Sequence, residues 1–304
     1  MKVLVTGSNG LLGQKLVKLL LESGENVIAS GLNHNRINYL SQRFDYVELD
    51  ITDSVQVDTV LKNNLPDIVI NTAAMTNVDQ CEDEQAACVK LNVDAVENLV
   101  HACEKIDAFF IHLSTDFIFD GEAGPYREED TANPISFYGQ SKLDAEKFVK
   151  NSRCRWAIIR TVLVFGITPG MSRSNIILWV KESLENGKQL KIVDDQWRTP
   201  TLAEDLAMGC YLVAKNNAEG VFNVSGEQML TPFEMAMKTV DFFNLDASLI
   251  TKADSSTFSQ TAKRPAKTGF ILDKAKTKLG YQPHTFEEGI KILDAQVKAL
   301  DSNS

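Results

Sequence analysis

Short apolar runs alternate with helix-like patterns through the first half of the chain. The runs that predict strands are KVLVTG, ENVIAS, FDYVELD, DIVINTAA and AFFIHLST. The last three are continuously apolar rather than alternating, as expected of strands that are covered on both faces. Further along, WAIIRTVLVFG supplies a sixth strand.

Two segments between these runs repeat apolar residues at the three- and four-residue spacing of an amphipathic helix. One follows KVLVTG and ends at Gly24, and the other covers residues 89–103. Strands and helices that repeat in this order imply right-handed crossovers and a parallel sheet with helices on both faces. The predicted fold class is therefore α/β, with a doubly wound parallel sheet of the Rossmann type over residues 1–165.

The second half is less regular, but it contains clear helix starts. TPFE at residues 231–234 and TFEE at residues 285–288 fit a capping box, in which threonine accepts a backbone hydrogen bond and glutamate reaches back. TLAE, beginning at Thr201, is a third candidate. We expect residues 166–304 to form mainly a smaller substrate-binding lobe, with some segments returning to the main sheet.

The balance of charged residues limits the kinds of partner that the chain can bind. With 31 basic and 41 acidic residues, the net charge of -10 argues against nucleic-acid binding, which needs a basic face. The five cysteines are scattered without metal-ligand spacing, which predicts reduced structural thiols and no metal site. No apolar stretch reaches the ~18 residues of a membrane helix, so we predict a cytoplasmic protein with no membrane partner.

The glycines of TGSNGLLG, at Gly7, Gly10 and Gly13, follow the first strand and open a leucine-striped helix. At such a turn glycine permits a positive φ and a close approach of backbone to ligand, while the first helical N–H groups point outward. A pyrophosphate suits that environment. The spacing differs from G-x-G-x-x-G, but its strand–turn–helix context predicts a nucleotide cofactor and makes residues 1–165 an NAD(P)-binding domain.

The end of the second strand indicates the type of cofactor. An acid at this place binds the adenosine ribose of NAD, whereas a basic residue accommodates the extra phosphate of NADP. The sequence here is ASGLNHNR, with no acid and with Arg36 as the nearest cation. We therefore predict NADP, with NAD as the alternative, and we expect Asp50 and Ile51 to flank the adenine.

Two segments carry the candidate chemistry. FYGQSK puts Tyr138 and Lys142 four residues apart, on one face of a helix, where an ammonium can favour the phenolate and hold a cofactor ribose. HLSTDFIFDG ends a strand in Ser114, Thr115 and Asp116, at the edge where such sheets bind ligands. Together they predict a hydroxyl, a phenol and an ammonium around a nicotinamide, for hydride transfer to or from a sugar carbon.

Nine segments spread over nearly the whole chain resemble the extended short-chain dehydrogenase/reductases, specifically the dTDP-4-dehydrorhamnose reductase group. They are TGSNGLLG, NTAAMTNVD, LNVDAVENL, STDFIFDG, PYREED, PISFYGQSKLDAE, RTVLVFG, VDDQWRTPT and KRPAKTGFILD. The first motif and YxxxK occur throughout the superfamily, whereas STDxxFDG and DDQxxxPT are more particular to this group. The resemblance implies NADPH-dependent reduction of a 4-keto deoxysugar nucleotide, above all dTDP-4-dehydrorhamnose to dTDP-rhamnose, and is compatible with a homodimer.

The resemblance also implies roles for individual residues. At the cofactor it implies Gly7, Asn9, Gly10, Leu11 and Leu12 on the pyrophosphate and Ala73 and Ala74 beside it. At the reacting carbon it implies Thr115 and Asp116 on the sugar carbonyl, Tyr138 as acid and Lys142 on the ribose. On the nucleotide-sugar side it implies Thr76 and the segment with Asp195, Trp197, Arg198 and Thr201.

One position departs from the reductase pattern and leaves the substrate open. These reductases typically carry tryptophan where RTVLVFG has Leu163. This leucine, together with FNVSGEQMLTPFEMA, also resembles the regulatory beta subunit of methionine adenosyltransferase, which binds NADP and partners an enzyme. Sugar epimerases are further alternatives. A 4,6-dehydratase needs glutamate after the Thr-Asp pair, and Phe117 excludes that chemistry.

Overall fold

The computed structural model describes residues 1–37, 39–41, 43–170 and 175–302. Its centre is a parallel sheet of seven strands in the order β10-β6-β5-β4-β1-β2-β3. The strands of this sheet are β1 (Lys2–Thr6), β2 (Asn26–Gly31), β3 (Asp45–Glu48), β4 (Ile68–Asn71), β5 (Phe109–Thr115), β6 (Trp156–Thr161) and β10 (Gly220–Asn223). The predicted Rossmann-type α/β fold is confirmed.

Helices cover both faces of this sheet. The helices are α1 (Leu11–Glu22), α2 (Ser54–Asn64), α3 (Val78–Asp83), α4 (Gln85–Val89), α5 (Ala95–Ile106), α6 (Phe137–Asn151), α7 (Ile176–Glu185), α8 (Ala203–Lys215), α9 (Pro232–Phe243), α10 (Asp273–Leu279) and α11 (Phe286–Asp301). Val3 and Val5 of β1 pack with α1 and α8 on one face, and Leu4 packs with α2 and α5 on the other. This two-sided burial explains why the strands read as continuous apolar runs.

Four short strands lie outside the main sheet. They are β7 (Val164–Phe165), β8 (Leu190–Val193), β9 (Thr201–Leu202) and β11 (Ile250–Ala253), paired as β7 with β9 and β8 with β11. Around them, α7 and α9 share a small apolar core with β8, and α11 packs near β9. Strand β10 and helices α8 and α10, although late in the chain, pack with the main sheet.

The predicted helix starts have different outcomes. Both Thr231 and Thr285 form complete capping boxes, with Glu234 and Glu288 respectively. The prediction at Thr201 is wrong, because this residue lies in β9 and its hydroxyl donates to the Val162 carbonyl (2.5 Å). Helix α8 begins two residues later without a side-chain cap.

The strand order places a crevice between two neighbouring strands. Beyond β1 the chain proceeds outward through β2 and β3, whereas β4, β5 and β6 lie on its other side. Crossover helices therefore diverge at the carboxyl ends of β1 and β4, which is where doubly wound sheets bind their ligands. Within the described ranges, no helix has the length and apolar character needed to span a bilayer.

Candidate active site

A cavity of about 390 Å³ opens at the carboxyl ends of β1, β2 and β4. Its lining includes nine of the residues predicted for the cofactor: Gly7, Asn9, Gly10, Leu11, Arg36, Asp50, Ile51, Ala73 and Ala74. Leu12 does not line the cavity, because its side chain packs against the apolar core on the face covered by α1 and α8. One continuous cleft thus joins the glycine turn to the ends of β2 and β4.

The three glycines of the turn meet different needs. Gly7 has a φ of +66°, and a Cβ there would lie 2.7 Å from the backbone nitrogen of Ala73. Gly13 packs so closely that a Cβ would lie 2.3 Å from the Gly7 carbonyl oxygen. Gly10 precedes α1 and leaves its first turn without a side-chain cap. The unpaired N–H groups of that turn can therefore bind an anion.

The side chain of Asn9 fastens the glycine turn to the segment after β2. Its Nδ2 donates to Tyr46 Oη (3.0 Å) and to the His34 carbonyl (3.2 Å), and its Oδ1 accepts from the Arg36 backbone N–H (3.0 Å). Asn9 thereby shapes the cavity wall through internal hydrogen bonds. The same contact fixes the backbone of Arg36 at the rim.

The rim beyond β2 carries a cation and little negative charge. Arg36 is exposed at the lining. Of the described lining residues, Asp50 is the one carboxylate, and it already accepts hydrogen bonds from the Thr52 N–H (2.9 Å) and hydroxyl (2.8 Å). An unpaired cation at this place favours a phosphate over a ribose hydroxyl.

Thr168 is a lining residue that the sequence reasoning missed. It lies in the GITPG segment after β7, is 4% exposed, and lines the cavity. Its hydroxyl has no hydrogen-bond partner among the described residues. Buried hydroxyls without partners are rare, and one in a cavity wall fits a ligand that completes the bond. The one available signal was its place directly after a strand end.

The phenol of Tyr138 is buried beside the strand-end hydroxyl of Thr115. Tyr138 lies in the first turn of α6 and packs against Phe117, with ring centroids 5.8 Å apart, and against Cys81 and Cys88. Burial is the largest effect on the pKa of Tyr138 and raises it well above the ordinary value, while a hydrogen bond with Thr115 acts in the opposite direction. The phenol therefore keeps its proton at neutral pH.

The amine of Lys142 lies one turn further along α6 and is also buried. Its described hydrogen-bond partner is His112 on β5, with Nζ 3.2 Å from Nε2. Burial lowers the pKa of Lys142 to about 8, and the carboxylate of Glu146 one turn further on partly opposes this. His112 was not predicted, although it stands three residues before Thr115 in the same quoted motif.

A buried ion pair fixes the orientation of α6. Glu146 accepts two hydrogen bonds from Arg160 on β6, from Nε (2.9 Å) and from Nη2 (2.8 Å). Arg160 lowers the pKa of Glu146 to about 2 despite its burial. Since Tyr138, Lys142 and Glu146 recur every four residues, this pair anchors the face of the helix that carries the phenol and amine.

Asp116 belongs to a buried polar cluster that we call the Asp116 junction, formed by Asp116, Arg198 and Thr268. The Thr268 hydroxyl donates to Asp116 Oδ2, and Thr115 Oγ1 donates to Oδ1 (3.1 Å). Arg198 Nε lies 4.0 Å from Oδ2. Burial raises the pKa of Asp116, and the Arg198 charge opposes that shift. The junction ties the end of β5 to two late segments of the chain.

The residues predicted for the nucleotide-sugar side are mostly engaged internally. Arg198 donates to the Pro265 carbonyl (2.7 Å), and Asp195 accepts from the Ser255 hydroxyl (2.7 Å). Thr201 is buried in β9, as described above. In contrast, Trp197 is 37% exposed, and Thr76 is exposed in the segment after β4. The structure therefore leaves Trp197 and Thr76 the most accessible members of this set.

Leu163 interrupts the predicted sixth strand. It has a φ of +35°, which is rare for a non-glycine residue, and its side chain is 45% exposed. The chain leaves the main sheet here, so that β7 pairs with β9 instead. Strained backbone of this kind clusters at ligand sites, which makes the exposed Leu163 a candidate ligand contact.

A Rossmann sheet with a glycine-turn cleft at its carboxyl edge and a buried Tyr-x-x-x-Lys pair on the helix after β5 is typical of an extended short-chain dehydrogenase/reductase. Tyr138 and Lys142 themselves lie outside the cavity lining described above. Residues 1–298 match the family model described as RmlD substrate binding domain. The chain belongs to this family of NAD(P)-dependent oxidoreductases, and the resemblance seen in the sequence is confirmed.

Two curated relatives show the range of the family. The chain is 32% identical over 301 residues to the probable low-salt glycan biosynthesis reductase Agl14 of Haloferax volcanii, covering 97% of this chain and 98% of the relative. It is 31% identical over 296 residues to the methionine adenosyltransferase 2 subunit beta of Bos taurus, covering 95% and 86%. Similarity thus extends both to a reductase and to a subunit of another enzyme.

Solved structures give the same family. A dTDP-4-dehydrorhamnose reductase from Clostridium acetobutylicum superposes with a TM-score of 0.86 at 29% identity, covering 98% of this chain and all of that one. The dTDP-4-dehydrorhamnose reductase of Bacillus anthracis, solved in complex with NADP, has a TM-score of 0.83 at 26% identity, covering 97% and 99%.

Proposed function

We propose that this protein is an NADPH-dependent reductase of a 4-keto deoxysugar nucleotide, with dTDP-4-dehydrorhamnose as the favoured substrate. The observation that carries the proposal is the convergence of Thr115, Tyr138 and Lys142 at the carboxyl edge of the sheet. Met75, which directly follows Ala73 and Ala74 of the cavity wall, packs against the cluster formed by Tyr138, Cys81 and Cys88, so this cluster adjoins the wall.

The residues of the cavity fit a dinucleotide. The glycine turn and the open first turn of α1 would hold the pyrophosphate, and the buried hydroxyl of Thr168 would donate to the cofactor. Arg36 would bind the phosphate that distinguishes NADP from NAD, which agrees with the NADP complex of the Bacillus anthracis relative. The bound nicotinamide would supply a hydride to the ketone carbon.

Tyr138 is the proposed acid. Its buried phenol holds a proton until the ketone oxygen gains electron density, and the proton then moves from the phenol oxygen to the substrate oxygen. The Thr115 hydroxyl, whose one proton is donated to Asp116 Oδ1 in the structure, would turn to donate to the same carbonyl oxygen and polarise it. The ammonium of Lys142 offsets the negative charge left on Tyr138 and holds the cofactor ribose.

The remaining predicted residues divide into positioning and contact roles. We assign Asp116, Arg198 and Thr201 to positioning, since internal hydrogen bonds already engage them, and Trp197 to stacking on the nucleotide base. Asp195 holds the Ser255 turn beside Trp197. Leu163 stands where reductases of this group carry tryptophan, so the choice of sugar is the part of the proposal that depends most on direct assay.

The test is loss of NADPH absorbance on mixing the protein with dTDP-4-dehydrorhamnose, followed by a panel of other keto-sugar nucleotides. A Tyr138→Phe variant should lose about 10²–10⁴-fold in turnover, because the general acid is gone, while its NADPH dissociation constant stays unchanged. Tyr211→Phe, at a half-buried tyrosine of α8, is the matched control and should keep full activity. A Tyr138→Phe enzyme as fast as wild type would contradict the assigned role.

A regulatory subunit is the second candidate function. It is favoured by the 31% identity to the methionine adenosyltransferase subunit over 95% of the chain. This function predicts NADPH binding without turnover of any keto-sugar nucleotide, together with tight association with a catalytic methionine adenosyltransferase. A pulldown with that enzyme separates the two functions.

A further inference from the structure

A line of buried polar side chains crosses three neighbouring strands and ends at Lys142. Thr6 of β1 lies in register with Asn71 of β4, and Asn71 lies in register with His112 of β5. The Thr6 hydroxyl donates to Asn71 Oδ1 (2.6 Å). Asn71 Nδ2 lies 3.4 Å from His112 Nδ1, and His112 Nε2 lies 3.2 Å from Lys142 Nζ. All four residues are buried, so their polar atoms need hydrogen-bond partners within the protein.

The backbone of Ala73 determines the direction of these hydrogen bonds. Its N–H, which can only donate, points at Asn71 Oδ1 (3.2 Å). The amide nitrogen of Asn71 must then face His112, and because it too can only donate, His112 Nδ1 has to accept. Burial, with a smaller contribution from the Lys142 charge, holds the pKa of His112 well below its usual value, so the ring is neutral. We therefore assign its single proton to Nε2.

An Nε2–H that points at Lys142 discriminates between the two protonation states of the amine. An ammonium has hydrogens only and meets this N–H unfavourably, whereas a free amine has a lone pair that accepts it. We propose that His112, oriented by Asn71, is a positioning residue that acts on the protonation of Lys142: its Nε2–H bonds to the free amine and not to the ammonium, and so favours the free amine. His112 thereby lowers the proton affinity of the lysine that the proposed reaction uses.

Other groups around Lys142 act on the same equilibrium. Besides His112, they are Glu146 on α6, Cys81 on α3 and Cys88 on α4. Glu146 and the two cysteines favour the ammonium, but burial is the largest effect and brings the pKa of Lys142 to about 8. The positive charge is thus present below this pH and lost as the pH rises through it.

The assigned tautomer can be observed directly. In the intact protein labelled with ¹⁵N-histidine, only 4 histidines contribute signals, and the spectrum of a His112→Phe variant identifies those of His112. We expect Nδ1 without a proton and Nε2 with one across neutral pH. A proton on Nδ1 would overturn the proposal. This measurement on the wild-type protein needs neither substrate nor turnover, and loss of folding in the variant would still leave the Nδ1 and Nε2 protonation pattern of four rings to be read.

The effect on Lys142 is tested by the pH dependence of NADPH binding, which rests on the proposed role of this lysine at the ribose. In the wild type, binding should weaken as the pH rises through the pKa of Lys142. In His112→Phe the midpoint should move upward by about 0.5–1 pH unit, the equivalent of one hydrogen bond to the free amine. A midpoint that stays or moves downward would contradict the proposal, since a histidine that accepts from the ammonium predicts a downward shift.

Two further variants complete this test. His101→Phe, at an exposed histidine of α5, should leave the midpoint unchanged. His112→Gln keeps an N–H that can reach Lys142 and should retain most of the wild-type behaviour. If the proposed sugar reduction were wrong, turnover would be absent from every variant, while the tautomer and the binding midpoints would still report on His112.

Discussion

The cavity wall and the Asp116 junction use polar groups in opposite ways. The wall includes the glycine turn, the alanines after β4 and several leucines. It presents the open first turn of α1 and a Thr168 hydroxyl that has no partner among the described residues. At the junction, Asp116, Arg198 and Thr268 bond to one another and to backbone carbonyls. The N–H groups of the first turn of α1 and the Thr168 hydroxyl can bind a ligand. The polar atoms of the Asp116 junction instead join late segments of the chain to β5.

The same difference decides which motif residues can bind a ligand. A residue within a functional motif binds ligand only if its polar atoms remain available in the folded chain. The N–H groups in the first turn of α1 meet this condition because no side chain caps them, but Arg198 and Thr201 do not. Mutations at the junction should therefore affect mainly stability, whereas replacing a wall side chain with a free polar group, such as Thr168, should affect mainly cofactor affinity.

The largest effect is expected from Arg198→Met at the junction. Removing the guanidinium leaves Asp116 and the Pro265 carbonyl buried without their partner, which should cost about 3 kcal/mol of unfolding free energy. The matched control is Arg264→Met, which breaks a half-exposed ion pair with Asp79. That change should cost less than about 1 kcal/mol. Urea denaturation measures both, and equal losses would contradict the assigned structural role of Arg198.

A smaller loss is expected at the glycine turn. Gly7→Ala should destabilise the protein by about 1–3 kcal/mol, because an alanine at positive φ is strained and its Cβ would overlap the Ala73 backbone. Gly10→Ala meets only the Gly7 carbonyl oxygen, at 3.3 Å, and should be much milder. Thermal unfolding of the two variants compares them, and a Gly10→Ala protein less stable than Gly7→Ala would be inconsistent with this geometry.

The smallest effect is expected at Thr168. Replacing its hydroxyl in Thr168→Val should weaken NADPH binding about 3–10-fold, the value of one hydrogen bond, and leave the unfolding free energy nearly unchanged. Thr168→Ser keeps the hydroxyl and should bind like the wild type. Fluorescence titration with NADPH provides the dissociation constants. A Thr168→Val protein with unchanged affinity would remove this residue from the cofactor site.

The sequence predicted the sheet better than the late segments. Five of the six predicted strands are buried on both faces, which makes them apolar runs, whereas β3 lies at the sheet edge with Asp45 and Glu48 exposed. The seventh, β10, was missed because GVFN is short and follows a helix in a region without a regular pattern. RTVLVFG was read as one strand, but the positive φ of Leu163 divides it, and no local pattern marks such a change of partner. TLAE failed because the Thr201 hydroxyl bonds across to β6 rather than to α8.

In the candidate site, local motifs predicted the groups that lie close together along the sequence. Tyr138 and Lys142 share a helix face, and the glycines share one turn, so both were readable from the sequence. His112 and Thr168 were not, because what distinguishes them is burial beside residues distant in the chain. A histidine in a strand becomes informative only when the sheet register sets it between Asn71 and Lys142.

Hydride transfer to a sugar carbon is the central claim, and isotope transfer tests it most directly. The protein is mixed with dTDP-4-dehydrorhamnose and NADPH that carries two deuterons on the reactive nicotinamide carbon, and the sugar product is examined by mass spectrometry and NMR. We predict one deuteron on C4 of the sugar. Bound NADPH that retains both deuterons with this substrate and with every other keto-sugar nucleotide would contradict the account.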